Sequence, residues 1–208
     1  MRIAVDPRDG RVRLTVPARA ALRPALAWAE SKRGWIEAVL ARIEPQAALV
    51  PGATLPIDGE PLVLASRSDA PRSIRREGAV LAVGGPIEGF ERRVLTWARR
   101  EALRVLDAET RELAARAGVV TARVSVGDAR TRWGSCSGSG DLRYSWRLVM
   151  APPAVRRAVV AHEVAHRLHM HHGPAFHDAV ARLLGHTPVA ETRWLREEGG
   201  ALHRIGRR

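Results

Sequence analysis

Apolar and polar positions alternate in short runs over the first third of the chain and then settle into longer helical rhythms. Residues 2–5 and 11–16 flank Pro7-Arg8-Asp9-Gly10, and Asp-Gly is a turn signal, so they predict a hairpin. Between residues 18 and 43, Leu22, Leu26, Ile36, Val39, Leu40 and Ile43 recur at helical spacing, with Gly34 as an expected interruption. Residues 45–56 read as a linker. Residues 55–57 with 61–64, around Asp58-Gly59-Glu60, predict a second hairpin. Residues 73–76 with 79–83, around Glu77-Gly78, predict a third. Gly84-Gly85-Pro86 marks a boundary, giving residues 1–86 as an N-terminal antiparallel, strand-rich region with a helix and 87–208 as a second domain.

A long amphipathic helix is expected over residues 88–117, ended by Gly118. Phe90, Val94, Trp97, Ala98, Val105, Leu106 and Leu113 form its apolar face. Arg92, Arg93, Arg99, Arg100 and Arg104 lie opposite and read as a solvated face with local Glu–Arg pairs. Short strands follow at 123–126 and 129–133, then a Gly/Ser loop at 134–140. Over 142–150, Leu142, Tyr144, Trp146 and Leu148 alternate with Arg143, Ser145, Arg147 and Val149, as in one half-buried strand. That strand is a candidate sheet edge for an extended substrate. Pro152-Pro153 opens another helix, and Gly173-Pro174 separates it from a last one carrying Phe176, Val180, Leu183 and Leu184 up to Gly185. Strands followed by helices in this order make an α+β fold.

Composition changes this picture in two ways. The 208-residue chain carries 34 basic and 22 acidic residues, a formal charge of +12. Such a charge suits nucleic acid or another polyanion. A codon bias toward Ala and Arg gives the same charge, and the arginines are spread along the chain rather than clustered. Cys136 is the one cysteine, which excludes an intrachain disulfide and fits a cytoplasmic protein. No run approaches the length of a membrane span, and the charged N-terminus does not read as a signal peptide.

Six of the eight histidines fall between Val159 and Val180. His162-Glu163-Val164-Ala165-His166 is an H-E-x-x-H pattern, expected about 0.02 times by chance in this composition, so it carries weight. Positions i and i+4 share one helix face, where two neutral imidazoles can converge on one zinc ion. Glu163 can reach a water on that metal and take its proton. A catalytic zinc takes a third protein ligand. His169 lies about 10 Å along the same stripe from His162, too nearly collinear to close a tetrahedron. His172 stands at the helix exit before Gly173-Pro174 and ranks first as third ligand, ahead of Glu191 and His177. His169 and His171 read as bystanders.

Trp133-Gly134-Ser135-Cys136, Leu142-Arg143-Tyr144-Ser145-Trp146-Arg147-Leu148, Ala151-Pro152-Pro153, His162-Glu163-Val164-Ala165-His166 and His172-Gly173-Pro174-Ala175-Phe176 occur in that order. Together they resemble the YgjP-like metallopeptidase domain family (DUF45), related to the SprT and Wss1 zincins. The motif-bearing part runs from about residue 132 to 177. The resemblance implies a minimal zincin, a small sheet packed on the H-E-x-x-H helix. It also implies Zn2+ on His162, His166 and His172, with Glu163 as general base. The chain departs from the family at Asp141 and Ser145, where Asn is usual, and at His177, where Trp is frequent.

The expected activity is therefore zinc-dependent peptide hydrolysis, with a peptide or protein as substrate. Arg143, Tyr144, Arg147 and His177 are candidates for stabilising the transition state or supporting the ligands. Cys136 reads either as a thiol that restrains the metal or, more commonly for a lone cysteine, as a small buried residue. Two other functions compete. One is a metal-dependent nucleotide pyrophosphatase, disfavoured by the lack of a phosphate-binding loop and of a carboxylate cluster. The other is a nucleic-acid-associated protein, either a DNA-associated protease of the SprT/Wss1 type or a zinc-stabilised binding module; one cysteine is too few for the usual structural zinc site.

Overall fold

The computed structural model describes residues 1–5, 10–41, 48–129 and 131–206. The described residues of Met1–Ala47 and His203–Arg208 form one compact unit, and Ala48–Leu202 form another. The boundary expected at residue 86 falls inside the second unit.

In the first unit, β1 (Arg2–Val5) and β2 (Val12–Thr15) pair antiparallel, with Arg2 opposite Thr15 and Val5 opposite Val12. The expected turn at Pro7, Arg8 and Asp9 lies outside the described residues. The single helical stretch divides into α1 (Leu22–Glu30) and α2 (Arg33–Leu40). The break falls at Ser31-Lys32 rather than Gly34. The Ser31 hydroxyl donates to the Trp28 carbonyl at 2.7 Å, and the Lys32 N–H donates to Ala29, which tightens the turn and closes α1. The expected apolar stripe is only partly buried, since Leu22 is 64% and Leu26 53% exposed while Ala25 is buried. Two short helices and a two-stranded ribbon offer little surface to cover such a stripe. Ile43 lies outside the described residues.

The second unit opens with a sheet of order β3-β4-β6-β5, made of β3 (Thr54–Ile57), β4 (Glu60–Arg67), β5 (Ile74–Glu77) and β6 (Val80–Gly84). Both expected hairpins form, and Asp58 and Gly59 have positive φ, as a tight two-residue hairpin turn requires. The sheet is not wholly antiparallel, because β4 and β6 pair parallel, Val63 opposite Val80. Composition accounts for the order. The apolar β4 and β6 take the centre, and Arg75-Arg76-Glu77 leaves β5 at an edge. Helix α3 (Phe90–Ala117) buries Phe90, Val94, Leu95, Ala98, Ala102, Leu106 and Leu113, and ends at Gly118 with φ 66°. Trp97 and Val105 of the predicted face are only half-buried. Arg104, Arg111 and Arg116 pair with Glu101, Asp107 and Glu112 on the exposed side.

A second sheet of order β7-β9-β8 holds the residues that lead to the histidines: β7 (Val124–Gly127), β8 (Gly134–Cys136) and β9 (Leu142–Ser145). The strand expected at 129–133 instead forms within the Gly/Ser stretch, as β8. The strand expected over 142–150 stops at Ser145 and continues as a 3-10 turn over Trp146–Met150. The Ser145 hydroxyl accepts from the Arg147 N–H, capping that turn. Arg147 is wholly buried, paired with Asp128 and stacked 4.7 Å from the centre of the Trp146 ring, so its charge did not mark an outward face. Helices α4 (Pro153–Ala165), α5 (Pro174–Leu184), α6 (Val189–Glu197) and α7 (Gly199–Leu202) complete the unit. Buried Arg156 of α4 bridges Asp58 in the β3–β4 turn and Glu109 of α3. Among the described residues, no helix is long and apolar enough to cross a membrane.

Candidate metal centre

Helix α4 is buried over most of its circumference. Val155, Val159, Val160, Val164 and the alanines between them pack inward and fix its rotation. His162 lies in its last turn and His166 is its C-terminal cap. The chain then turns out of the helix and reaches Gly173, which sits in extended backbone and starts α5 with Pro174 in the first turn. His172 is carried back toward α4 by that exit. Imidazole nitrogens of His162, His166 and His172 all lie within 4.8 Å of one another. The His172 and His162 Nε2 atoms are 3.1 Å apart. Among the described residues this is the one such convergence of three His, Cys, Asp or Glu side chains.

The three rings share a common floor. Phe176 packs 4.8, 4.7 and 4.6 Å from the centres of His162, His166 and His172. The His166 Nδ1 lies 3.2 Å from the His169 carbonyl, so with Nδ1 as donor its Nε2 is left free to coordinate. Burial pushes the His162 pKa down to about 4, helped by the positive charge that His166, His172 and His177 would carry. Burial also lowers His166. Both rings are therefore neutral near pH 7, the form in which imidazole binds a metal. Two ring nitrogens facing at hydrogen-bond distance, a third turned to them by a backbone acceptor, and a shared aromatic floor fit a metal ion held by three imidazoles.

Glu163 sits one residue after His162 and is 5% exposed. Its carboxylate makes no hydrogen bond among the described residues. Burial raises its pKa to about 7, against the opposing pull of the Arg132 charge. Gly134 of β8 lies so close that a Cβ there would stand 2.5 Å from the Glu163 Oε1, so any larger residue would have to displace the carboxylate.

The other sequence candidates are distributed as follows. The Tyr144 hydroxyl is 3.1 Å from the Thr110 hydroxyl, and burial pushes its pKa up. Arg147 is held by Asp128. The Arg143 guanidinium lies over Gly127 and lines a cleft with Asp128, Arg132 and Ser135. His177 is exposed, edge-on to Phe176 at 5.5 Å. Glu191 is not in the histidine cluster; it is buried and bonded to His186 at 2.9 Å. His171 is exposed outside it. Cys136 is half-buried, its thiol pKa is pushed up by burial, and its Sγ contacts the Ser137 carbonyl. Asp141 accepts from the Ser139 hydroxyl and ties the β8–β9 turn.

Sequence reasoning overlooked four contributions: the Arg132 charge at Glu163, the His169 carbonyl, the Phe176 floor and the closeness of Gly134. Phe176 and Gly134 stand in the motifs already quoted, but only the folded chain brings them to the histidines.

The family profile of the YgjP-like metallopeptidase domain matches residues 1–198. The chain belongs to the YgjP-like metallopeptidase family. The match extends well beyond the motif-bearing stretch and takes in the N-terminal strands and helices. At family level this makes the chain a metallopeptidase-type protein, with a metal and a hydrolytic reaction implied. No curated protein and no solved structure matches the chain.

Proposed function

We propose that this YgjP-like chain is a zinc-dependent peptidase in which His162, His166 and His172 hold the metal and Glu163 is the general base. The observation that carries the reading is the buried Glu163 carboxylate beside three convergent imidazoles, of which burial keeps His162 and His166 neutral. Zinc bound there would supply Lewis acidity toward the scissile carbonyl and the attacking water. Glu163 takes the proton of that water and passes it to the leaving amine, so the carboxylate is restored at the end of the cycle. A pKa near 7 suits both halves of that exchange. Arg132 is a cationic group whose field reaches Glu163, and it is suited to stabilise developing negative charge.

An extended substrate needs a free strand edge. β9 is the central strand of its sheet, so the 142–150 segment does not offer one. β8 does, and it runs past Glu163 at Gly134. The test is metal analysis with peptide hydrolysis. Glu163→Gln is expected to keep its zinc and lose about 100-fold or more in kcat. His172→Ala is expected to lose zinc, and His177→Ala to retain it. A Glu163→Gln protein that cleaves peptides as fast as wild type overturns the mechanism. Nucleoside triphosphates assayed alongside unfolded protein separate this reading from a pyrophosphatase, which the all-histidine cluster fits poorly.

A second reading, association with nucleic acid, is favoured by one feature. A cleft of about 340 Å³ is lined by Arg72, Arg92, Arg93, Arg100 and Trp97. Among the described residues Arg72, Arg92 and Arg100 form no ion pair, so their charges are available to phosphates while Trp97 offers a stacking face. Salt-dependent retention on single-stranded DNA that is lost in Arg92→Glu/Arg100→Glu would support it. Absence of retention at low salt removes it.

A further inference from the structure

A pocket of about 310 Å³ opens beside Glu163 and His162. Its floor is Ala158 and Val159 of α4 and Val180 of α5, all buried. Arg132, Trp133 and Leu195 line it further, and the exposed Thr192 of α6 stands at its rim. The Trp133 wall is buttressed, since a Cβ on Gly199 of α7 would lie 2.7 Å from its indole. Neither metal binding nor proton transfer by Glu163 requires this cavity. Its size reaches the lower range of ligand pockets, enough for one large side chain, and its floor offers no partner to a charge.

We infer that this pocket sets specificity: it takes one bulky apolar side chain, of Leu, Met or Phe size, from the residue next to the scissile bond. The inference rests on the peptidase reading above and names its substrate class. Side chains of this kind are mostly buried in folded proteins. Presented on a chain extended along β8, they belong to unfolded or extended segments rather than to intact folded surfaces. A Gly at the same position leaves the pocket unfilled, and an Asp would lose its hydration against an apolar floor, with Arg132 at the wall to offset part of that cost and the Glu163 carboxylate beside it to oppose it. The expected discrimination is about 10- to 100-fold in kcat/KM for Leu or Phe over Gly.

The experiment uses the zinc-loaded full chain. Cleavage sites are first mapped by mass spectrometry on an unfolded protein mixture. Synthetic peptides then vary the residues on either side of the scissile bond among Gly, Ala, Leu, Phe and Asp. Thr192→Trp fills the pocket from its exposed rim, and Leu195→Ala enlarges it. Zinc content and circular dichroism are measured for each variant. The expected result is a Leu/Phe preference at one of the two positions, reduced at least 10-fold in Thr192→Trp with Gly and Ala peptides unaffected, and shifted toward Phe in Leu195→Ala. Peptides cleaved with no preference at either position, or a Thr192→Trp protein that slows all peptides alike, overturn the inference while leaving the peptidase reading in place. A zinc-loaded wild type that cleaves no peptide removes the peptidase reading, and this inference with it.

Discussion

Replacing Glu163 by Gln should alter the stability of the metal-free protein in a way that depends on pH. Burial raises this carboxyl from its ordinary 4.5 to about 7 in the folded chain. At about 1.4 kcal/mol for each tenfold change, the folded state penalises the charged form by about 3 kcal/mol. The folded value lies above the unfolded one, so the favourable contribution is complete below about pH 4.5 and is lost as the pH rises through about 7. Gln has no charge to bury. The stability of Glu163→Gln relative to wild type should therefore rise by about 2–3 kcal/mol between about pH 5 and about pH 8. His162, pushed down to about 4, adds a pH dependence of opposite sign at the acid end, but it is common to both proteins and cancels in the difference. The assay is urea denaturation followed by far-ultraviolet circular dichroism, with a chelator present throughout. Adding zinc to both proteins should shrink the difference, because a nearby dication favours the carboxylate. Stability curves for the two metal-free proteins that run parallel across this range would refute the reasoning, since they would mean that Glu163 is not held in a desolvated site.

Gly134→Ala should push the Glu163 carboxylate aside, because the added carbon would stand 2.5 Å from Oε1; peptide hydrolysis should fall about 100-fold with zinc content unchanged. Phe176→Ala removes the floor beneath all three imidazoles, so zinc affinity should drop about 10- to 100-fold in a competition titration, and stability by about 3–4 kcal/mol in urea. Arg156→Leu leaves Glu109 without its partner, and Glu109 Oε2 is already buried and unbonded; the expected loss is about 2–4 kcal/mol by the same denaturation assay.

The elements were legible wherever local chemistry decides them. The Asp58-Gly59 turn and the turn at Gly78 were placed by residues that tolerate positive φ, and α3 ended where Gly118 could take the left-handed conformation. The parallel pairing of β4 with β6 was not legible, because it follows from which strands are apolar enough for the centre of a sheet. The 142–150 stretch was misread for a related reason. Alternating Arg and Leu signals a half-exposed strand only if the arginines reach water. Arg147 does not, since Asp128, 19 residues earlier, neutralises it inside the fold.

The histidine cluster shows the same division between local and distant information. His162 and His166 meet because helix geometry puts i and i+4 on one face, and His172 joins them because Gly173-Pro174 stops the chain from continuing along the helix axis. Those facts lie within 13 residues of each other in the sequence. What adapts the cluster to chemistry comes partly from farther away, from Gly134 and Arg132, and partly from Phe176 just past the helix exit. Their common effect is on charge. The same burial that keeps His162 neutral raises Glu163 toward pH 7, so the metal-free site carries little charge of its own. A dication arriving there meets His162 and His166 as neutral imidazoles that need not give up protons, and it offsets the penalty that burial imposes on the carboxylate.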